Sequence, residues 1–137
     1  MRTKTRGFTL IEILLVIAII GLMATIVMYG QRNAQEKRRD VKRVTDIEAL
    51  QKGLALYISK VGGYPVYEGC INGTDAVTVG LRAEGMLQGN DSLVDPLNPS
   101  NTANCYYYIS AGSTFTLRYT LEQTSAAGEV GNHTIQP

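Results

Sequence analysis

Charge is missing where a helix in water would carry it. Between Phe8 and Met28 the only ionisable side chain is Glu12, and about 20 apolar residues are enough to cross a bilayer as a helix. Proline is absent before Pro65, so no ring interrupts helical hydrogen bonding upstream of it. Histidine is nearly absent: His133 is the only one, near the C-terminus and without ligand spacing around it, which reads as a solvated surface residue. The two cysteines, Cys70 and Cys105, lack CxxC spacing, so neither zinc nor redox chemistry is suggested. There is no nucleophile–base pair and no phosphate-binding glycine loop. These absences argue against an enzyme, and no cofactor or metal is implied.

What is present is uneven. The chain of 137 residues carries a formal net charge of +1, enough length for one small domain plus one further element. Arg2, Lys4 and Arg6 open it. Between Gln31 and Arg43 six basic residues (Arg32, Lys37, Arg38, Arg39, Lys42, Arg43) face Glu36 and Asp40, a net of +4. From Val44 onward four basic residues face nine acidic ones, a net of −5. Such a lengthwise dipole does not point to nucleic acid as a partner. It suits subunits that stack with a shift, the basic belt of one meeting an acidic surface of another.

The first thirty residues read MRTKTRG and then FTLIEILLVIAIIGLMATIVMYG. An ordinary secretory signal has a shorter apolar core, followed by a small-residue cleavage site; here the core is too long and no such site follows. A plain signal anchor explains the run and its basic flank but leaves Glu12 unexplained, because a carboxylate in lipid is costly and marks function. The string Gly7-Phe8-Thr9-Leu10-Ile11-Glu12 resembles the class III signal of type IV pilins and their pseudopilin relatives. The resemblance implies that a membrane aspartyl peptidase cuts after Gly7 and N-methylates Phe8, leaving Glu12 as the fifth mature residue. Cleavage removes three positive charges, leaving a formal side-chain charge of −2. In an assembling filament the Phe8 ammonium of a neighbour is the expected partner of Glu12. A wrong axial shift leaves a charge buried and unpaired, so Glu12 acts as a register pin.

Charge on the two flanks does not fix orientation by the positive-inside rule; a cytoplasmic leader follows from the resemblance alone. The segments expected are a leader over 1–7, a membrane and polymerisation half-helix over 8–30, an amphipathic half-helix over 31–61, and a globular head over 62–137. Apolar residues at Val41, Val44, Ile47, Leu50, Leu54, Tyr57 or Ile58, and Val61 recur in steps of three and four, one stripe of an amphipathic helix. With Gly62-Gly63 as the stop, one helix is predicted from about Phe8 to Ser59. Gly21 and Gly30 fall inside it, where close packing or local unwinding can use them. Tyr29 stands where many type IV pilins carry a kinking proline, so the residues give no basis for a kink there.

The fold class expected is α+β: the long helix packed on a small C-terminal antiparallel sheet. Gly62 to Pro99 reads as loop, with Val77–Leu87 leaning to a short helix. Tyr106–Ser110 and Thr114–Leu121 read as a hairpin about Ala111-Gly112-Ser113, with Phe115, Leu117, Tyr119 and Leu121 on one face. Val130–Gln136 supplies a third strand, and the triple tyrosine Tyr106–Tyr108 is expected to pack the sheet. Cys70 and Cys105 form a disulfide in an exported domain, or remain two buried thiols. The oxygen-rich run Asp91–Pro99, with Asp91 and Asp95, resembles a pseudopilin loop that in some members holds calcium, but Asp, Asn and Pro also simply set turns.

Two functions share the N-terminal chemistry. The first is a pilus-like surface filament for adhesion, twitching or DNA uptake. The alternative is a pseudopilin of a type II secretion system or competence apparatus. The surface filament is preferred, because the segment before the sheet lacks a full match to the secretion type. Partners expected from the resemblance are copies of the chain itself, the prepilin peptidase, the membrane assembly machinery, and lipid before assembly. The precursor belongs in the cytoplasmic membrane and the assembled form at the cell surface.

Overall fold

A computed structural model describes residues 7–87, 93–97 and 103–137. The leader residues 1–6, together with Asp91, Ser92, Asn98 and Pro99 of the candidate calcium run, lie outside the described residues. Helix α1 (Leu10–Val61) is followed by β1 (Tyr67–Cys70), α2 (Ala76–Ala83), β2 (Tyr107–Ser110), β3 (Phe115–Leu121) and β4 (Gly131–Ile135). The expected α+β class is what is observed. The chain divides into two units, residues 1–35 and 36–137; α1 begins in the first and ends in the second.

In the first unit every residue from Gly7 to Met28 is exposed. The most apolar 18-residue stretch has a mean hydropathy of 2.9 and none of it is buried. A helix apolar on all sides requires lipid or other helices around it. Gly21 faces open space, with nothing within 4 Å of where a Cβ would stand.

In the second unit α1 buries Ile47, Leu50 and Leu54 against Ile71, Val77, Leu81, Leu93, Tyr106, Tyr108, Phe115 and Leu117. The predicted apolar stripe is right at its centre and wrong at its ends. Val41 and Val61 are each 51% exposed. Toward the N-terminal side the buried positions of the stripe are Asp40 and Arg43, charged residues that an apolar period cannot pick out. Gly53 is buried, and a Cβ there would stand 3.4 Å from Leu81 Cδ1, so its helix-propensity cost allows α2 to lie close. The helix stops at Gly62, whose φ of +88° and N–H donating to Ile58 O at 2.8 Å make the left-handed cap that glycine adopts without strain.

Helix α2 starts at Asp75, whose carboxylate accepts from Thr78 N at 2.8 Å and from Asn72 N at 2.9 Å, a side-chain cap on orphan amides. It ends at Ala83, shorter than the predicted Val77–Leu87. The four strands lie in the order β1-β2-β3-β4, each pair antiparallel. Strand β1 was not expected. Its sequence, YEGC, holds glycine and glutamate, which are poor strand formers, and only pairing with β2 reveals it. Alternation in β3 holds: Phe115, Leu117 and Leu121 are buried and Tyr119 half-buried. His133 departs from expectation, being half-buried and stacked on Tyr119 at 5.1 Å between ring centroids.

Candidate assembly site

The residues of the processing motif form one local structure. Thr9 precedes the first helical residue, Leu10. Its backbone N–H and its hydroxyl both donate to Glu12 Oε2 at 2.8 Å, while Glu12 N donates back to Thr9 Oγ1 at 3.4 Å. This is a reciprocal capping box: a Thr at the cap and a Glu three residues on satisfy two donors that a helix start otherwise leaves open. The same spacing, Thr9-Leu10-Ile11-Glu12, was available in the sequence and its capping meaning was missed. Gly7 and Phe8 lie outside the helix, and Phe8 is 83% exposed. The motif thus places the Gly7–Phe8 bond outside the helix and just before its start, with the carboxylate of Glu12 one turn in.

The head carries a second polar centre, buried and fully bonded. Arg43, 2% exposed, donates to Asp95 through Nε at 2.7 Å and Nη2 at 3.1 Å, and to Asp40 Oδ1 through Nη1 at 2.7 Å. Its Nη1 also reaches Glu122 Oε1, an oxygen to which Arg39 Nε donates as well at 2.8 Å. Asp40, itself fully buried, accepts Glu122 N at 3.0 Å and Gln123 N at 2.9 Å. Burial alone would favour a neutral Arg43, but the hydrogen bonds it donates to Asp95, Glu122 and Asp40 outweigh it and raise its pKa. Glu122 is held below the usual carboxylate range, first by its bond from Arg39. Nearby, Tyr106 donates its hydroxyl to Asp46 Oδ2 at 2.9 Å; burial, then Asp46, pushes that hydroxyl's pKa up.

This network ties α1 to the loop at Asp95 and to the end of β3. It answers the calcium expectation at Asp95: both of its oxygens are engaged, by Arg43 and, for Oδ1, also by Leu97 N at 2.9 Å. Among the described residues no group of three or more His, Cys, Asp and Glu is placed to hold a metal. Cys70 and Cys105 are joined as a disulfide, linking the end of β1 to the residues just before β2. Of the triple tyrosine, Tyr106 and Tyr108 are fully buried, while Tyr107 is half-buried on the opposite face.

The family pattern described as the prokaryotic N-terminal methylation motif matches residues 2–28. Over its whole length the chain is similar to the type II secretion system core protein G of Vibrio cholerae serotype O1, 31% identical across 99% of this chain and 96% of that one. The chain belongs to the type II secretion system core protein G family. It is also 40% identical to the core protein G of Dickeya chrysanthemi over 50% of this chain and 44% of that one. Against the Escherichia coli K12 protein the identity is 44% over 45% and 43%. No solved structure matches significantly.

These relatives are pseudopilins, pilin-like structural subunits, so the secretion alternative fits better than the surface pilus preferred from the sequence. That preference rested on an incomplete local match before the sheet, and similarity over the whole chain outweighs it. The methylation motif followed by an exposed apolar helix supports membrane anchoring.

Proposed function

We propose that this chain is the filament-forming pseudopilin of a type II secretion system, cut after Gly7, N-methylated at Phe8, and polymerised into a periplasmic filament. The observation that carries the reading is the helix surface from Leu10 to Met28, wholly exposed and, Glu12 apart, without charge. Lipid covers it before assembly and the same helices of other copies cover it afterwards.

The chemistry of the transfer follows from the capping box. In the precursor, Glu12 is held by Thr9 of its own chain. Cleavage at Gly7–Phe8 creates an ammonium one residue before that cap. When a subunit leaves the membrane its carboxylate moves into a helical core of low dielectric, where an unpaired charge is strongly unfavourable. The Phe8 ammonium of a neighbouring copy neutralises it in one axial register. The membrane prepilin peptidase and the secretion assembly platform are the proposed further partners.

The test is intact mass with N-terminal sequencing on sheared, periplasmic and membrane fractions of the native cell. Processed chain, starting at N-methylated Phe8 and found in periplasmic or membrane-attached filaments, supports the reading. Processed chain abundant in sheared surface filaments would return the assignment to a pilus. A chain still beginning at Met1 would leave a simple membrane anchor.

A further inference from the structure

On the outward face of the sheet, Arg118 of β3 lays its guanidinium over the Tyr107 ring, 4.9 Å from the centroid. Beside it runs a groove of about 660 Å³, lined by Ala103, Tyr107, Arg118, Tyr119, Thr120 and Asn132. Arg118 is exposed and is the only Lys or Arg downstream of Arg82. The other basic residues from Val44 onward are engaged within the chain. Lys52 pairs with Glu48, Lys60 pairs with Glu84, and Arg82 donates to Gly73 O at 2.8 Å. Arg118 meets no carboxylate among the described residues. A guanidinium held over an aromatic ring keeps its planar fork of donors, suited to a carboxylate.

The acidic side has its counterpart. Glu129 lies in the β3–β4 connection, exposed, and its carboxylate meets no cation among the described residues; it is its backbone carbonyl that His133 approaches. Glu68, also exposed, already accepts the Tyr107 hydroxyl at 3.3 Å. Within one chain Arg118 and Glu129 form no ion pair: the Glu129 carbonyl sits at the His133 ring, which stacks on Tyr119, and alternation along β3 puts Tyr119 on the opposite face of the sheet from Arg118. One copy thus presents Arg118 and Glu129 each without an opposite charge of its own among the described residues. Two different patches that match each other make a heterologous contact, which repeats along an open filament.

We propose that the Tyr107–Arg118 groove receives the Glu129 carboxylate of a second copy of this chain. The contact presupposes the filament reading and adds to it a specificity between the globular heads of neighbouring copies that the N-terminal helix does not supply. The pair is solvent-exposed, so it weakens with salt and matters through repetition along the filament.

The test is charge exchange in the full-length chain in its native assembly system, scored by filament yield and by disulfide-intact, processed monomer as a folding control. Arg118→Glu and Glu129→Arg each set like charges at every contact and are expected to cut filament yield at least about tenfold. The double exchange Arg118→Glu with Glu129→Arg is expected to recover most of it. The milder Arg118→Gln and Glu129→Gln should give smaller losses that shrink further at high salt. Single exchanges that assemble like the parent would overturn the contact, and so would a double variant no better than the singles. A parent chain that forms no filament at all would remove the filament reading, and the contact with it.

Discussion

Arg43 and Asp95, 52 positions apart in the chain, meet fork to fork deep in the head, with Nε to Oδ2 at 2.7 Å and Nη2 to Oδ1 at 3.1 Å. Both side chains are at most 3% exposed. Removing one partner of such a pair leaves a buried charge short of compensation, which costs about 3–5 kcal/mol. Because Asp40 and Glu122 remain on Arg43, Asp95→Asn is expected at the lower end, about 3 kcal/mol. Urea unfolding should show a lower midpoint with an unchanged slope. A midpoint within error of the parent would mean that the loop at Asp95 adds nothing to the fold.

The same pair bears on calcium. A calcium ion needs six or more oxygens, and Asp95 has both of its own committed to Arg43 and Leu97 N. Neither added calcium nor a chelator is therefore expected to move the melting temperature of the head. A rise on adding millimolar calcium, abolished by chelation, would show that the ion competes successfully with the arginine.

Acid should act through Glu122. Its folded-state pKa lies below the ordinary value of 4.5, chiefly through the bond from Arg39. A depressed carboxylate contributes stability that is complete above the unfolded value and is lost as pH falls through the lower folded value. The stability gap between the parent and Glu122→Gln should be constant near neutral pH and close from about pH 4.5 downward. Denaturant midpoints measured for both chains across that range give the answer. Parallel curves down to pH 3 would place the acid sensitivity elsewhere.

Legibility from sequence follows the range of the interactions. The long helix was readable because its signals are local: no proline, an apolar run, a three-four period, then Gly62. The β2–β3 hairpin was readable for the same reason, from alternation in Phe115–Leu121. Strand β1 was not, because Tyr67–Cys70 becomes a strand only by pairing with residues some forty positions on. The buried charges were missed because Asp40 and Arg43 look like part of a solvated basic belt, and their partners Asp95 and Glu122 are distant in the chain. At the N-terminus one role was overlooked: Thr9 and Glu12, read as parts of a cleavage signal, also start the helix.

The Cys70–Cys105 bond closes a loop of 35 residues and pins the edge strand β1 to its neighbour β2. On the chain-entropy account a loop of that size is worth roughly 3–4 kcal/mol. Replacing both cysteines by serine should lower stability by about that much and loosen β1 first, since it has only one neighbouring strand. Amide exchange resolved by residue would show early loss of protection at Tyr67–Cys70. Uniform loss across the sheet would mean that the bond acts on the unfolded chain alone.

Glu12 caps its own helix and, in the proposed filament, would also pair with a Phe8 ammonium; two substitutions divide these roles. Glutamine is compatible with the third position of a capping box, so Glu12→Gln keeps the helix start but carries no charge to pair with a Phe8 ammonium. Thr9→Val removes the hydroxyl that donates to the Glu12 carboxylate and accepts from Glu12 N, weakening the cap while the carboxylate keeps its charge for pairing between copies. If register depends on the intermolecular charge pair, Glu12→Gln should assemble as poorly as Glu12→Val while Thr9→Val still forms ordered filaments at reduced yield. If the helix start is what matters, the order reverses: Glu12→Gln assembles nearly like the parent and Thr9→Val fails. Filament yield and order by electron microscopy, with processing checked by mass, distinguish the two. Well-ordered, full-yield filaments from Glu12→Val would remove both duties at once.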